Sequence, residues 1–373
     1  WDLESKDVES WNYWSWDTVT PFSDSVADRD LVDEMGRLIR LAVEKRCRGD
    51  YRIGVTLSGG LDSRALLAGI PDDISPPPVT VTFGFPECED IRIARRVSKV
   101  AGVQHYVHEL TEENWFDGRI DGVWYTDGHF PLRHMHSLGG QRLARQHYDV
   151  NLNGFLAGAI QGGIYVGDPE FSFVEKLENR GRRLINEGVR LSQVFLHHRR
   201  PFIDHELFEF TAQIPARKRA DRSIYHRALL AEFPELFADI PWDNTGVPIS
   251  APTWREYLEA AKRWSQQMLD AYVLNRDKRG GENYTDYPRW IVGPTNRDRF
   301  ETILFNSERL YPSHISEQRV RDIWERLCAG DTRCEWEHIY RVLTFEIWLQ
   351  QSLAGRLRPD GDEELQQALA RLA

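Results

Sequence analysis

The sequence predicts an α/β protein with a doubly wound parallel sheet, followed by a C-terminal helical subdomain. Short apolar runs alternate with segments of helical periodicity up to about residue 153, as in βαβ units. Beyond about residue 170 the strand pattern fades, and prolines punctuate helical segments. At about 150 residues per domain, the 373 residues are sufficient for two or three domains.

The elements follow in order along the chain. A first amphipathic helix is predicted because Leu31, Met35, Leu38, Ile39, Ala42 and Val43 recur at helical spacing. Strands are predicted at residues 53–57, 79–83, 104–110 and 149–153. Further helices are predicted around 65–68, over 91–101, near 112–126 and 134–147, and over 339–353.

Three segments are predicted from this pattern. A tryptophan-rich lead covers residues 1–30, the α/β domain covers 31–245, and the helical subdomain covers 246–373. The proline-rich stretch 241–252 favours a boundary there, and the charged, glycine-containing stretch 275–283 favours a loop.

Composition excludes several classes of protein. The net charge of −11 argues against a broad basic surface for nucleic acid. No run approaches the roughly 18 apolar residues of a membrane span. The four cysteines form no CxxC pair, which favours a reducing, cytoplasmic setting over a disulfide framework.

The segment Ser58–Ser63, between the first predicted strand and its helix, carries the chemistry. Gly59 and Gly60 allow a tight turn close to an anion, while Ser58 and Ser63 supply hydroxyl donors at a helix N-terminus. Asp62 beside phosphate is explained if it holds Mg²⁺, which offsets the repulsion. The segment is not a Walker A loop, because it lacks the GxxxxGK[ST] lysine.

Ser58-Gly59-Gly60-Leu61-Asp62-Ser63 resembles the pyrophosphate loop (PP-loop) of the ATP pyrophosphatase superfamily, which has a HUP-like fold. The flanking sequence is similar to the synthetase domain of the asparagine synthetase family over about residues 50–250. The similar segments are Thr82-Phe83-Gly84-Phe85-Pro86 with Asp90, Asn153-Gly154 through Gly162-Gly163, Arg200 through Asp204, and the segment that begins at Arg222.

The resemblance implies an ATP-dependent, AMP-forming amide ligase that activates a carboxylate as an acyl-adenylate for attack by ammonia or an amine. ATP and Mg²⁺ are the implied cofactors, with Asp62 as metal ligand. The resemblance places the phosphates on Ser58, Gly59, Gly60, Leu61 and Ser63, and the adenosine against Val81, Phe83 and Gly84. It also assigns Asn153 and Gly154 to the second phosphate loop, and Arg222 and Arg200 to catalysis.

Three departures from the family pattern stand out. Gly158 occupies the position of an acidic metal ligand, so that Asp90 or Asp127 becomes a candidate for a compensating carboxylate. Arg222 replaces a lysine; it can stabilise departing pyrophosphate but is a poor proton shuttle. Phe155 stands where asparagine synthetase has a glutamate, which argues against aspartate as the substrate.

Alternatives stay open at this level. The chain could be a natural-product cyclase of the lasso-peptide or β-lactam synthetase kind, or a catalytically degenerate homologue that binds nucleotide and acts through partner contacts. Arg200 could instead be a structural residue that pairs with Asp204. Because only about 50 residues precede the PP-loop, the resemblance leads us to expect a glutaminase-like N-terminal domain that is missing or separate.

Overall fold

The computed structural model describes residues 8, 10–86, 88–164, 166, 172–220, 222–272, 284–331 and 334–359. The loop predicted at 275–283 lies outside these ranges. The strands are β1 (Ile53–Thr56), β2 (Val79–Gly84), β3 (Gln104–Glu109), β4 (Val150–Leu152) and β5 (His197–Arg199).

Helices connect and cover these strands. The α-helices are α1 (Asp28–Arg46), α2 (Leu61–Ala68), α3 (Glu89–Val100), α4 (Arg119–Tyr125), α5 (Leu138–Ala144), α6 (Ala157–Ile160), α7 (Phe173–Lys176), α8 (Asn186–Ser192), α9 (His205–Gln213), α10 (Ala216–Arg219), α11 (Ser223–Glu232), α12 (Pro234–Phe237), α13 (Thr253–Tyr272), α14 (Tyr287–Trp290), α15 (Arg297–Phe305), α16 (Glu317–Cys328) and α17 (Trp336–Ser352). A π-helix, Leu177–Ile185, joins α7 to α8. Short 3₁₀ turns are Trp16–Thr18, Leu132–His134, Pro201–Ile203 and Tyr311–Ser313.

The five strands form one sheet in the order β3-β2-β1-β4-β5, and every pair of neighbours is parallel. The predicted parallel α/β fold is therefore confirmed. The strand order reverses between β1 and β4, and in such sheets ligands bind in the crevice beyond the carboxyl ends of these strands.

Strand β5 was missed by the sequence prediction, which found no strand beyond residue 153. Its residues are His197, His198 and Arg199, so it contains no apolar run to mark it. Pairing with β4, in which His198 lies opposite Asn151, fixes it at the sheet edge.

Two large apolar clusters stabilise the fold. The predicted apolar stripe of α1 is buried, and it packs with residues of β1, α2, α3 and α11. The second cluster joins side chains from residues 110–138 to side chains from residues 287–349. The C-terminal helices therefore share this core with the segment after β3. The division of the chain at residue 245 stays a prediction.

Candidate functional site

The loop Ser58–Ser63 follows β1 and leads into α2, on the β1–β4 crevice. The Ser58 and Ser63 hydroxyl oxygens lie 3.0 Å apart, and the amide of Gly60 donates to Ser58 Oγ at 3.2 Å. Gly60 caps α2 without a side-chain hydrogen bond to the helix. The loop therefore places backbone N–H groups and two hydroxyls at one helix N-terminus, an arrangement that favours an anion.

Close packing explains the glycine at position 59. A Cβ atom there would lie 2.9 Å from Asp243 Cβ and 3.3 Å from Asp90 Oδ1. The Gly59 amide donates to Asp90 Oδ1 at 2.6 Å. The loop is thus held from α3 on one side and by the segment after α12 on the other.

Arg64 anchors the same loop from α2. Its side chain is fully buried and donates to the carbonyl oxygens of Gly59, Leu236, Ile240 and Pro241 at 2.8–3.3 Å. One guanidinium group thereby ties the PP-loop to the segment that carries Asp243.

Asp62 lies in the first turn of α2, with both carboxylate oxygens bonded. Tyr225 donates its hydroxyl to Oδ1 at 2.8 Å, and the Gly158 amide donates to Oδ2 at 3.0 Å. Burial raises the pKa of Asp62 to about 6, although these two hydrogen bonds act to lower it. The carboxylate is thus oriented by α11 and α6 together.

Gly158 brings a backbone N–H, rather than a carboxylate, to Asp62. A Cβ at this position would lie 2.9 Å from Ile164 Cδ1 and 3.4 Å from Asp62 Oδ2. The second carboxylate near Asp62 is Asp243, which the sequence prediction missed because 181 positions separate the two residues. Neither the periodicity of the helices and strands nor the loop motif indicates Asp243 in the sequence.

Asp243 shares a cavity of about 180 Å³ with Asp62 and Arg222. Its Oδ1 atom is buried and has no hydrogen-bond partner among the described residues. Burial raises the pKa of Asp243, and the Asp90 carboxylate raises it further. No group of three or more His, Cys, Asp or Glu residues is placed to hold a metal within the described ranges. Two carboxylates nevertheless suit Mg²⁺, because phosphates and water supply its remaining ligands.

The other carboxylates proposed to compensate for Gly158 differ in position. Asp90 contacts the PP-loop at Gly59. Asp127 instead accepts a hydrogen bond from the indole nitrogen of Trp348 on α17, at 2.7 Å. Asp127 lines neither the small cavity nor the larger one described below.

Arg222 immediately precedes α11 and has a left-handed backbone, with φ of 62°. Its guanidinium lies over the Trp242 ring, 5.8 Å from the centroid, on the cavity that Asp62 lines. A left-handed arginine is strained, and strain of this kind concentrates at functional sites.

Arg200 lies at the end of β5, outside both cavities. It packs over the Phe155 ring at 4.9 Å and donates to Asn186 Oδ1 at 3.2 Å. Asp204 pairs with Lys45 and Arg46 of α1 instead of with Arg200. The pairing of Arg200 with Asp204 that was considered from the sequence is therefore not observed. Asp204 pairs with α1 instead.

A larger cavity of about 520 Å³ opens along the carboxyl ends of β1, β2 and β4. Ser58, Phe83, Asn153 and Gly154 line it. Val81 is fully buried in the sheet core and does not line it, and Gly84 instead approaches Cys88 and Tyr284. The cavity extends beyond these residues to the π-helix and α8, which the sequence did not predict as walls.

Comparison with known proteins identifies relatives of this chain. Residues 34–189 match the family described as asparagine synthase. Asparagine synthetase [glutamine-hydrolyzing] of Homo sapiens is 25% identical over 214 residues, which cover 52% of this chain and 38% of the human protein. The same enzyme of Rattus norvegicus is 24% identical over 214 residues, with the same coverage.

A bacterial relative aligns over a shorter stretch. A putative asparagine synthetase [glutamine-hydrolyzing] of Mycobacterium bovis is 28% identical over 147 residues, which cover 37% of this chain and 22% of that protein. The chain thus spans well under half the length of the curated relatives it matches. Among the described residues, no helix is long and apolar enough to cross a membrane.

Proposed function

Since residues 34–189 belong to the asparagine synthase family, we propose that the chain is an ATP-dependent, AMP-forming ligase that joins a carboxylate to ammonia or an amine. The observation that carries the proposal is the shared cavity of Asp62, Asp243 and Arg222 beside the Ser58–Ser63 loop. An anion-binding loop, two carboxylates and one cation around the same space suit a metal-bound triphosphate.

In the proposed reaction, a carboxylate oxygen of the substrate attacks the α-phosphorus of ATP. The bond from this phosphorus to the bridging oxygen of the β-phosphate breaks, and pyrophosphate leaves. The amine then attacks the acyl carbon, loses a proton and displaces AMP. Arg222 stabilises the negative charge that develops on pyrophosphate, and as arginine it stays protonated throughout.

Mg²⁺ fits the residues present, because a buried carboxylate oxygen of Asp243 lacks a partner near Asp62 among the described residues. In this proposal Asp62 and Asp243 would hold the ion, which would neutralise phosphate charge when bound. The hydrogen bonds from Tyr225 and Gly158 fix the direction of the Asp62 carboxylate.

The function is tested by incubating the protein with Mg²⁺-ATP, ammonium chloride and pooled metabolic acids and amines. The expected products are AMP, pyrophosphate and a new amide, measured by mass spectrometry. Ammonium chloride tests whether free ammonia suffices, because the relatives named above hydrolyse glutamine. Absence of AMP and pyrophosphate, together with undetectable Mg²⁺-ATP binding, would contradict the proposal.

Asp243→Asn is expected to weaken the binding of Mg²⁺ that accompanies ATP. The amide keeps the side-chain size but removes one negative ligand, so the half-saturating Mg²⁺ concentration should rise about tenfold or more. Titration of Mg²⁺ at fixed ATP measures this shift. Asp239→Asn, at an exposed residue four positions earlier, is the control and should leave the titration unchanged. Equal half-saturating Mg²⁺ concentrations for the unmodified protein, Asp243→Asn and Asp239→Asn would exclude Asp243 as a metal ligand.

Arg222→Gly is expected to lower the activity of the protein without lowering its stability. Loss of the guanidinium should lower the rate of pyrophosphate release about 100-fold. The free energy of unfolding should stay level or rise by up to about 1 kcal/mol, because glycine adopts the left-handed backbone without strain. Pyrophosphate release and denaturant unfolding measure the two effects.

The matched control is Arg227→Ala, on α11, where the arginine pairs with Asp28 near the surface. It should retain the rate of pyrophosphate release. An Arg222→Gly variant that releases pyrophosphate at the normal rate would exclude the proposed role of Arg222.

A further inference from the structure

The 520 Å³ cavity has a second wall that the proposed nucleotide contacts leave free. One wall comes from the ends of β1, β2 and β4. The other comes from the π-helix, α8 and residues 130–141, and it includes Phe130, Leu184, Ile185, Gly188 and Val189. Because a ligase of the proposed kind binds its acid next to ATP, this second wall is available for the acyl substrate.

The second wall carries an apolar patch among polar side chains. Four of its side chains are aliphatic or aromatic: Phe130, Leu184, Ile185 and Val189. Gly188 keeps the space open, since a Cβ there would lie 3.0 Å from the Phe130 ring. Such a wall binds an apolar group by removing it from water.

Two charged side chains from the part of the chain that the structure describes line the cavity, one on the strand side and one on the π-helix. Among the described residues, the carboxylate and guanidinium that line it belong to Asp90 and Arg180. Asp90 accepts the Gly59 amide hydrogen bond, and Arg180 is exposed to solvent. His134 and His136 also line it, and both make contacts within the protein. An acidic side chain against Leu184, Ile185 and Val189 would lose hydration, which is unfavourable unless it reaches the solvent-exposed Arg180.

Gln141 supplies a polar group within this wall. Its side chain is only 3% exposed, and its Nε2 atom lies 3.4 Å from Thr56 Oγ1. The Oε1 atom is buried with no hydrogen-bond partner among the described residues. A buried amide oxygen without a donor is unfavourable, so a ligand that donates a hydrogen bond here is favoured.

From these contacts we propose that the second wall binds an acyl substrate whose side chain is uncharged and mainly apolar, and which donates one hydrogen bond to Gln141. The inference rests on the proposed ligase function and deepens it by naming the substrate class. It separates this chain from enzymes that activate an acidic amino acid. The step itself stays the same: the carboxylate attacks the α-phosphorus of ATP and pyrophosphate leaves.

The test is exchange of labelled pyrophosphate into ATP with single acids of matched size. Leucine, methionine, phenylalanine and tyrosine, free and as the C-terminal residue of N-acetyl-glycyl dipeptides, are compared with aspartate and glutamate in the same forms. We expect exchange with at least one apolar acid to exceed that with either acidic one by about tenfold or more. Preference for aspartate or glutamate would overturn the inference and leave the ligase function standing. No exchange with any acid, with no ATP binding, would overturn both.

Gln141→Leu and Gly188→Leu test the wall itself. Gln141→Leu should lower exchange at limiting acid about tenfold, and Gly188→Leu should raise the KM of the largest active acid about tenfold or more. Both should keep ATP affinity within about twofold. Gln146→Leu, at an exposed residue just after α5, is the control and should behave as the unmodified protein. Unchanged acid KM in both wall variants would exclude this wall as the acyl site; thermal unfolding confirms that each variant is folded.

Discussion

Asp62→Asn is expected to lower the formation of AMP and pyrophosphate by about 100-fold or more. The substitution removes the negative charge of the carboxylate that binds Mg²⁺ in our proposal, while the side chain keeps its volume. Loss of one electrostatic contact to the transition state typically costs a factor of about 100 to 1,000 in rate, on the order of 3–4 kcal/mol. Initial rates of pyrophosphate release at saturating Mg²⁺-ATP measure the effect.

The fold should tolerate this change. The amide oxygen can still accept a hydrogen bond from Tyr225 or from the Gly158 amide, so unfolding should shift by no more than about 1–2 kcal/mol. Asp72→Asn, at an exposed residue beyond the end of α2, serves as the control and should keep the full rate. If the Asp62→Asn protein were folded and as active as the Asp72→Asn protein, Asp62 would have no part in the reaction.

Arg64→Met is expected to destabilise the protein by about 3–5 kcal/mol. Methionine fills much of the buried space but donates no hydrogen bond, so the carbonyl oxygens of Gly59, Leu236, Ile240 and Pro241 lose their charged donor. Denaturant unfolding measures the loss. Mg²⁺-ATP binding should weaken as well, because Arg64 fixes the position of Gly59.

Arg96→Ala provides a matched comparison for Arg64. Arg96 lies on α3 and donates to the Asp239 carbonyl oxygen at 3.1 Å, but this contact is exposed. Its removal should cost less than about 1 kcal/mol. A similar small loss for Arg64→Met would show that the four buried hydrogen bonds contribute little net stability.

The sequence predicted those features of the fold that have a local signal. β1 and β2 were located because each is a short apolar or β-branched run, and the stripe of α1 was visible in its spacing. β3 and β4 carry a weaker signal, from Tyr106 with Val107 and from Val150 with Leu152. The boundaries differ modestly: the helix predicted near 112–126 covers Arg119–Tyr125. β5 carries no such signal, because its place depends on hydrogen bonds to β4.

The same distinction between features with and without a local signal applies to the residues of the candidate site. Ser58–Ser63 is continuous in sequence, so its motif was readable, and Arg222 lies on the cavity that Asp62 lines. Asp243 and Gln141 reach the two cavities through long-range folding, which no local spacing encodes. The π-helix is likewise hidden, because a segment of nine residues is too short for its wider side-chain period to be distinguished from that of an α-helix.

The separate origin of the two cavity walls has a consequence for how such proteins diversify. Strand ends carry the nucleotide contacts that we propose, whereas the second wall comes from residues 130–141 and 180–192. Substitutions or a one-residue deletion in the π-helix can therefore reshape the second wall without altering the PP-loop. Under our proposal, selectivity for the acid can evolve while the adenylation chemistry is retained.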